Sequence, residues 1–149
     1  RDGWIGMKTT AERLTFRQEA NDIYFAADDY LIEKHTGAFE TEQAQTNITY
    51  LAAFMEKMSE TYDSAHLTAM VVPNAVDILR DKLPPFASPY DEETYLDQIK
   101  AALPQGVWFD TSGVLEQHKE EEIYYRTDHH WKTLAAFYVF AAGIQEKGL

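Results

Sequence analysis

The sequence predicts an α/β layered domain in which parallel strands are flanked by helices. Short runs of β-branched and aromatic residues alternate with segments whose apolar residues recur every three or four positions, the pattern of strands threaded between helices. Two of those runs, His66–Val72 and Val107–Asp110, are nearly continuous in apolar residues and suit buried strands paired in parallel. At 149 residues the chain makes a single domain, 1–149, long enough to bury a core.

Taken in order, residues 4–20 mix Trp4, Ile5, Leu14 and Phe16 with charges and admit a helix. Ile23–Phe25 and Tyr30–Ile32 flank the acidic connection Ala26-Ala27-Asp28-Asp29, which predicts a hairpin. From about Glu40 to Tyr62, the positions Ile48, Leu51, Met55, Met58 and Tyr62 recur at helical steps and form one face of an amphipathic helix. The strand from His66 stops at Pro73, Asn74 is placed to cap a short helix over Ala75–Leu83, and Pro84-Pro85 ends it. Pro84–Pro89 is the best candidate for a mobile loop.

Asp91-Glu92-Glu93 is an acidic first turn for the next helix, with Leu96, Ile99 and Leu103 as its buried stripe. Pro104-Gln105-Gly106 breaks that helix ahead of Val107–Phe109, and a helical segment then runs to about Glu120. Residues 132–147 form an almost wholly apolar helix. In parallel α/β folds ligands gather at the carboxyl ends of the strands, which points to Asp110 and the loop after Val72.

The charge is −12, from 13 Lys and Arg against 25 Asp and Glu. Such a field repels polyanions, and no basic cluster offsets it, so nucleic acid is not an expected partner. The absence of cysteine excludes disulfides, thiolate metal sites and cysteine nucleophiles while fixing no compartment. No apolar run approaches the ~20 residues a membrane helix needs. The chain opens on Arg1-Asp2-Gly3 and closes on Lys147-Gly148-Leu149, which reads as a piece of a longer protein with function divided across the cut.

The residues best suited to chemistry are Thr127-Asp128-His129-His130-Trp131-Lys132. In an extended segment, residues two apart face the same way, so Asp128 and His130 share a side and His129 points elsewhere. A carboxylate that accepts the imidazole Nδ1–H fixes the tautomer and leaves Nε2 as a base for a hydroxyl. Trp131 and Tyr125 beside the pair are suited to exclude water or stack on a sugar. The plainer account is that Thr127 or Asp128 caps the following helix. Asp-His-His also offers one oxygen and two nitrogens to a metal. Manganese phosphoesterases with those letters need further spaced Asp pairs, however, and Asp28-Asp29 is adjacent and in a turn, so no metal centre is expected.

Four segments carry a resemblance: Tyr24-Phe25 with Tyr30-Leu31-Ile32-Glu33, Val71-Val72-Pro73-Asn74, Asp81-Lys82-Leu83-Pro84, and Tyr124 to Thr133. Together they resemble the DHHW family of bacterial proteins. That family is similar to the alginate O-acetylation proteins AlgX and AlgJ, whose acetyltransferase domains are permuted relatives of the SGNH hydrolases. The resemblance implies an SGNH-hydrolase-like domain truncated at its carboxyl end. It also implies a catalytic pair carried as Asp-x-His-Trp, which maps onto Asp128, His130 and Trp131, with His129 in the variable position. His129, Trp131 and Tyr125 are the expected substrate-binding residues, and no cofactor is expected.

The family's nucleophilic Ser lies well downstream of this motif in a Gly-x-Ser context, and nothing here corresponds to it. Of Ser59, Ser64, Ser88 and Ser112, only Ser112 sits where a strand-to-helix turn can present a nucleophile. Capping by Asp110 or Ser112 is the simpler reading of that turn. His35, His66 and His118 are expected to have no chemical duty, and Glu120-Glu121-Glu122 to be a solvated helix end.

The resemblance implies an exported, cell-surface or extracellular bacterial protein that hydrolyses or transfers an acyl group, acetyl above all, on a polysaccharide. The expected partners are a polysaccharide or an acyl-donor protein, with no membrane segment in this chain. An exposed sheet edge invites a homodimer. The rival reading is a non-catalytic exported module that binds glycan or protein and whose motif only caps a helix. The choice between esterase and transferase rests on family analogy.

Overall fold

The computed structural model describes residues 18–147 apart from residues 36, 38 and 63–66. Of the helix expected over residues 4–20, residues 4–17 lie outside the described residues, as do Ser64 and His66. Strands β1 (Glu19–Ala20), β2 (Ile23–Phe25) and β3 (Leu31–Glu33) form an antiparallel sheet in the order β1-β2-β3. Asn21 and Asp22 turn β1 into β2 with φ of 51° and 61°. Short polar side chains tolerate that left-handed pair, and its twist suits a two-residue hairpin. Strand, not helix, therefore occupies Glu19–Ala20.

The hairpin expected after Ile23 is present, with Tyr24 opposite Ile32 and Phe25 opposite Leu31. Its connection tightens into a 3-10 turn over Ala27–Asp29, and Lys82 Nζ reaches the Asp28 carboxylate at 2.7 Å. Strand alternation sends Tyr24 and Ile32 inward, each 2% exposed.

Helix α1 (Glu42–Ser59) starts where the Thr41 hydroxyl accepts the Ala44 N–H at 3.1 Å. It buries Ile48 and Met55 but ends before Tyr62, which is exposed. Helix α2 (Ala75–Ile78) and a 3-10 turn over Arg80–Lys82 make up the expected short helical stretch. Asp91 caps α3 (Glu92–Ala102) through the Thr94 N–H, and Leu96, Ile99 and Leu103 are buried as expected. Asp110 caps α4 (Thr111–Gln117) through the Gly113 N–H, and α4 stops short of Glu120. The last helix is α5 (Thr133–Lys147).

The parallel pairing expected of His66–Val72 and Val107–Asp110 contracts to one bridge, Ala69 with Trp108. Ala69 N–H donates to Val107 O at 2.6 Å, and Phe109 N–H donates to Ala69 O at 2.9 Å. That bridge is parallel, as expected, but the three-stranded sheet among the described residues is antiparallel, which corrects the expectation of a parallel sheet. Pro73 lacks an N–H and ends one partner. The turn at Gly106, with φ of 79°, delivers only a short run to the other. Val107 and Phe109 are nonetheless buried: an apolar run reports burial and leaves the ladder open.

Among the described residues, two clusters form the core. One joins the sheet to α2, α4 and α5 through Tyr24, Ile32, Ile78, Leu79, Leu115 and Val139. The other packs α1 on α3 through Ile48, Met55, Leu96, Ile99 and Leu103. Helix α5 buries Ala135 and Val139 but exposes Leu134, Phe137 and Phe140, so it is apolar on both sides and covered on one. No helix of the described residues is long and apolar enough to cross a membrane.

Candidate acid–base site

The motif sits at the head of a pinned loop. Tyr124 and Trp131 form an antiparallel bridge, Lys132 N–H donates to Ile123 O at 2.7 Å, and Tyr125 N–H donates to His130 O at 3.2 Å. Below the loop, Ile123 and Tyr124 are buried, and the Tyr124 hydroxyl donates to Pro73 O at 2.7 Å. At the side, Leu31 N–H donates to Arg126 O at 2.7 Å. Glu122 binds Lys132 Nζ at 2.6 Å and also pairs with Arg126, clamping both flanks of the motif.

Within this frame one carboxylate oxygen does two jobs. Asp128 Oδ1 accepts the His130 backbone N–H at 2.8 Å and lies 2.5 Å from His130 Nδ1. The first contact is the local turn an Asp makes with the residue two ahead; it brings the imidazole onto the same oxygen. The His130 backbone N–H, then the imidazole contact, hold the Asp128 carboxyl below the usual carboxylate range. An ionised carboxylate accepts only, so Nδ1 is the donor, and in the neutral imidazole Nε2 then keeps its lone pair. The His130 side chain is 64% exposed and that of Asp128 51%, so the pair opens to solvent.

The pair forms as expected, by a different route. Residues 126–130 bend instead of running extended. Helix α5 begins at Thr133, so neither Thr127 nor Asp128 caps it. His129 does not point away: its ring centroid lies 4.1 Å from that of His130, and its Nδ1 lies 4.0 Å from Asp128 Oδ1. Tyr125 is 47% exposed with Lys132 Nζ 5.6 Å from its ring centroid. Trp131 packs against the main core and braces the loop.

Residues 23–145 match the family described as SGNH hydrolase-like domain, acetyltransferase AlgX. This chain belongs to that family. No curated protein matches it. Its structure is similar to the O-acetyltransferase domain of Pseudomonas putida AlgJ, with TM-score 0.62 and 16% identity over 85% of this chain and 48% of that one. It is also similar to Bacillus cereus PatB1 with a sulfonyl adduct, with TM-score 0.55 and 22% identity over 83% of this chain and 43% of that one. A DHHW family protein from Eubacterium siraeum aligns with TM-score 0.42 and 27% identity over 65% of this chain and 33% of its own length. The chain thus spans less than half the length of these solved structures. The fold of this AlgX-like domain is SGNH-hydrolase-like.

In this AlgX-like chain the serines lie apart from the pair or outside the described residues. Ser59 donates to Met55 O on α1 at 2.8 Å, and Ser88 is exposed in its loop. Ser112 lines a cleft of about 400 Å³ with Asp77, Arg80, Trp108 and Asp110, at the carboxyl end of the Ala69–Trp108 bridge. Asp128 and His129 border a different and much smaller cavity.

Several contributors escaped the sequence reading. Glu92, 3% exposed, accepts the Asn74 N–H at 3.0 Å and the Asn74 side-chain amide at 2.9 Å. Burial, reinforced by Asp77 and opposed by the Asn74 bonds, pushes its carboxyl up to about 7. Asn74 was expected to cap α2, but its side chain makes no cap hydrogen bond. The Glu120–Glu122 run lies beyond α4 and is engaged: Glu121 binds His118 Nδ1 at 2.8 Å and accepts the Tyr138 hydroxyl at 2.7 Å. The His118 ring stacks on Tyr138. A run of three acids cannot signal which of them faces a partner.

Proposed function

We propose that this chain carries the acid–base half of an O-acyltransferase or esterase that moves an acyl group, acetyl above all, onto or off a cell-surface or secreted polysaccharide. The observation that carries this reading is the 2.5 Å contact between Asp128 and His130 Nδ1, inside the span that matches the AlgX acetyltransferase family. His129 and Tyr125, on the same exposed loop, are the proposed substrate contacts, with Trp131 fixing the loop beneath them. Export follows from the same family reading.

The nucleophile in this reading is a serine outside residues 1–149. His130 Nε2 takes its hydroxyl proton as the oxygen attacks the acyl carbonyl carbon. The tetrahedral intermediate collapses, His130 returns the proton to the departing alcohol, and an ester to serine remains. A sugar hydroxyl or water then gives its proton to Nε2, attacks the acyl-enzyme, and releases serine with the proton restored. Asp128 stays ionised throughout and holds the imidazole orientation.

The test is hydrolysis of a small acetyl ester by the intact protein and its His130→Ala variant. Turnover should fall about 10²–10⁴-fold with folding retained, and residues 1–149 alone should show none. Unchanged turnover in His130→Ala overturns the mechanism, and robust turnover by residues 1–149 moves the nucleophile inside the chain. Inactivity of the intact protein, with glycan binding kept in the variant, favours the non-catalytic module.

A further inference from the structure

Asp128, His129 and His130 converge as donors as well as forming an acid–base pair. Each offers one ligand atom, and the three atoms lie within 4.8 Å of one another. One carboxylate oxygen and two imidazole nitrogens suit Zn²⁺, which draws its ligands to about 2.0–2.2 Å. The side chains are 51%, 56% and 64% exposed, so packing does not prevent the adjustment.

A second element borders the loop. Glu33 and His35, at and just beyond the end of β3, border with Asp128 and His129 a cavity of about 10 Å³, room for about one water-sized guest. Glu33 and His35, whose Oε2 and Nε2 lie 3.9 Å apart, are thus neighbours of the loop outside the three-donor set.

We infer that Asp128, His129 and His130 form an exchangeable Zn²⁺ site whose occupancy removes His130 as a base. The inhibitory half of this inference rests on the function proposed above. A metal on Nε2 occupies the lone pair that would take the hydroxyl proton. A metal on Nδ1 leaves the single imidazole proton on Nε2, which then donates instead of accepting. Both geometries stop proton transfer. His129, for which an Asp-His pair has no need, supplies the third donor and turns the pair into a chelate.

The test titrates tag-free protein with ZnCl₂ in a non-chelating buffer, followed by calorimetry and by NMR of the imidazole resonances. One-to-one binding is expected, weakened about tenfold or more in His129→Ala and in His130→Ala, and less in His35→Ala. Circular dichroism checks that each variant is folded, and His129→Gln repeats the loss with a side chain of similar polarity. No saturable binding, or equal affinity in wild type and both loop variants, overturns the site. In the intact protein, saturating Zn²⁺ should stop ester turnover and EDTA should restore it. Turnover that persists with the site filled overturns the inhibitory role. An intact protein with no turnover at all refutes the acid–base reading, and the titration still decides the site.

Discussion

Asp128 and Glu92, like Asp91 on Thr94, are each gripped by the backbone and the side chain of a single neighbour. Asp128 takes the N–H of His130 at 2.8 Å and its Nδ1 at 2.5 Å. Glu92 takes the N–H of Asn74 at 3.0 Å and its side-chain amide at 2.9 Å. Hydrogen bonds of this kind favour the ionised form, yet the two groups shift in opposite directions. Asp128, half in solvent, is held below the usual range, whereas Glu92 is pushed up to about 7 by burial. Loss of hydration outweighs a matched pair of hydrogen bonds. The exposed grip keeps a charge ready beside an imidazole; the buried one fixes a corner of the fold.

The largest effect expected from breaking this contrast is on turnover. In Asp128→Asn the amide oxygen can still accept the His130 N–H, so the loop keeps its turn. The same oxygen still faces Nδ1, but as a neutral acceptor it no longer stabilises the imidazolium that forms when Nε2 takes a proton. Turnover of the intact protein should fall on the order of 10²–10⁴-fold. Loop resonances should stay near their wild-type positions. A loss of less than about threefold would mean that Asp128 shapes the loop without orienting the base.

Next comes stability against pH. Glu92 has a folded value of about 7 against an ordinary value of 4.5. Between those values the folded state holds a proton that the unfolded state has released, so stability falls as pH rises. The loss is roughly 3 kcal/mol across the window and is complete above it. Urea denaturation from about pH 5 to pH 8 should show this decline, and Glu92→Gln should flatten it by keeping a neutral acceptor for Asn74. Asp128 works with the opposite sign: its folded value is depressed, so its contribution is present near neutrality and is lost on acidification below the usual carboxylate range. A decline that survives in Glu92→Gln would assign it to another group.

The same contrast shows what was legible in the sequence. The cap at Asp110 was, offered beside Ser112, because a cap is settled within four residues; at Asp91 the sequence marked only an acidic helix start. Also legible were α1 and α3, whose apolar spacing reports one buried face. The Asp128–His130 pair was legible as a pair, although the backbone achieves it by a turn and not by the extended run assumed. Glu92 was hidden inside an acidic first turn: Asp91, Glu92 and Glu93 look alike in sequence, and only packing against Pro73-Asn74 turns one of them inward. Glu122 was hidden in the same way. The β1–β2 turn at Asn21-Asp22 lay just past a stretch read as helix. The parallel pairing was over-read because an apolar run speaks to burial and is silent on how many ladder bonds it makes.

The smallest effect tests whether the buried corner is one unit. Tyr124, 1% exposed, donates its hydroxyl to Pro73 O at 2.7 Å, one residue from the backbone N–H that Glu92 holds. Burial, helped by the Glu92 charge, pushes the Tyr124 hydroxyl well above the usual phenol range, so it stays a neutral donor. Tyr124→Phe removes that donor and leaves the Pro73 carbonyl without its partner, at a cost of roughly 1–2 kcal/mol. If Tyr124 and Glu92 hold a single rigid corner, the Tyr124→Phe and Glu92→Gln effects should not add; the double variant should differ from their sum by about 0.5 kcal/mol or more. Additive effects would show two independent contacts, and the loop bearing Asp128 and His130 would then rest on Tyr124 without help from the buried acid.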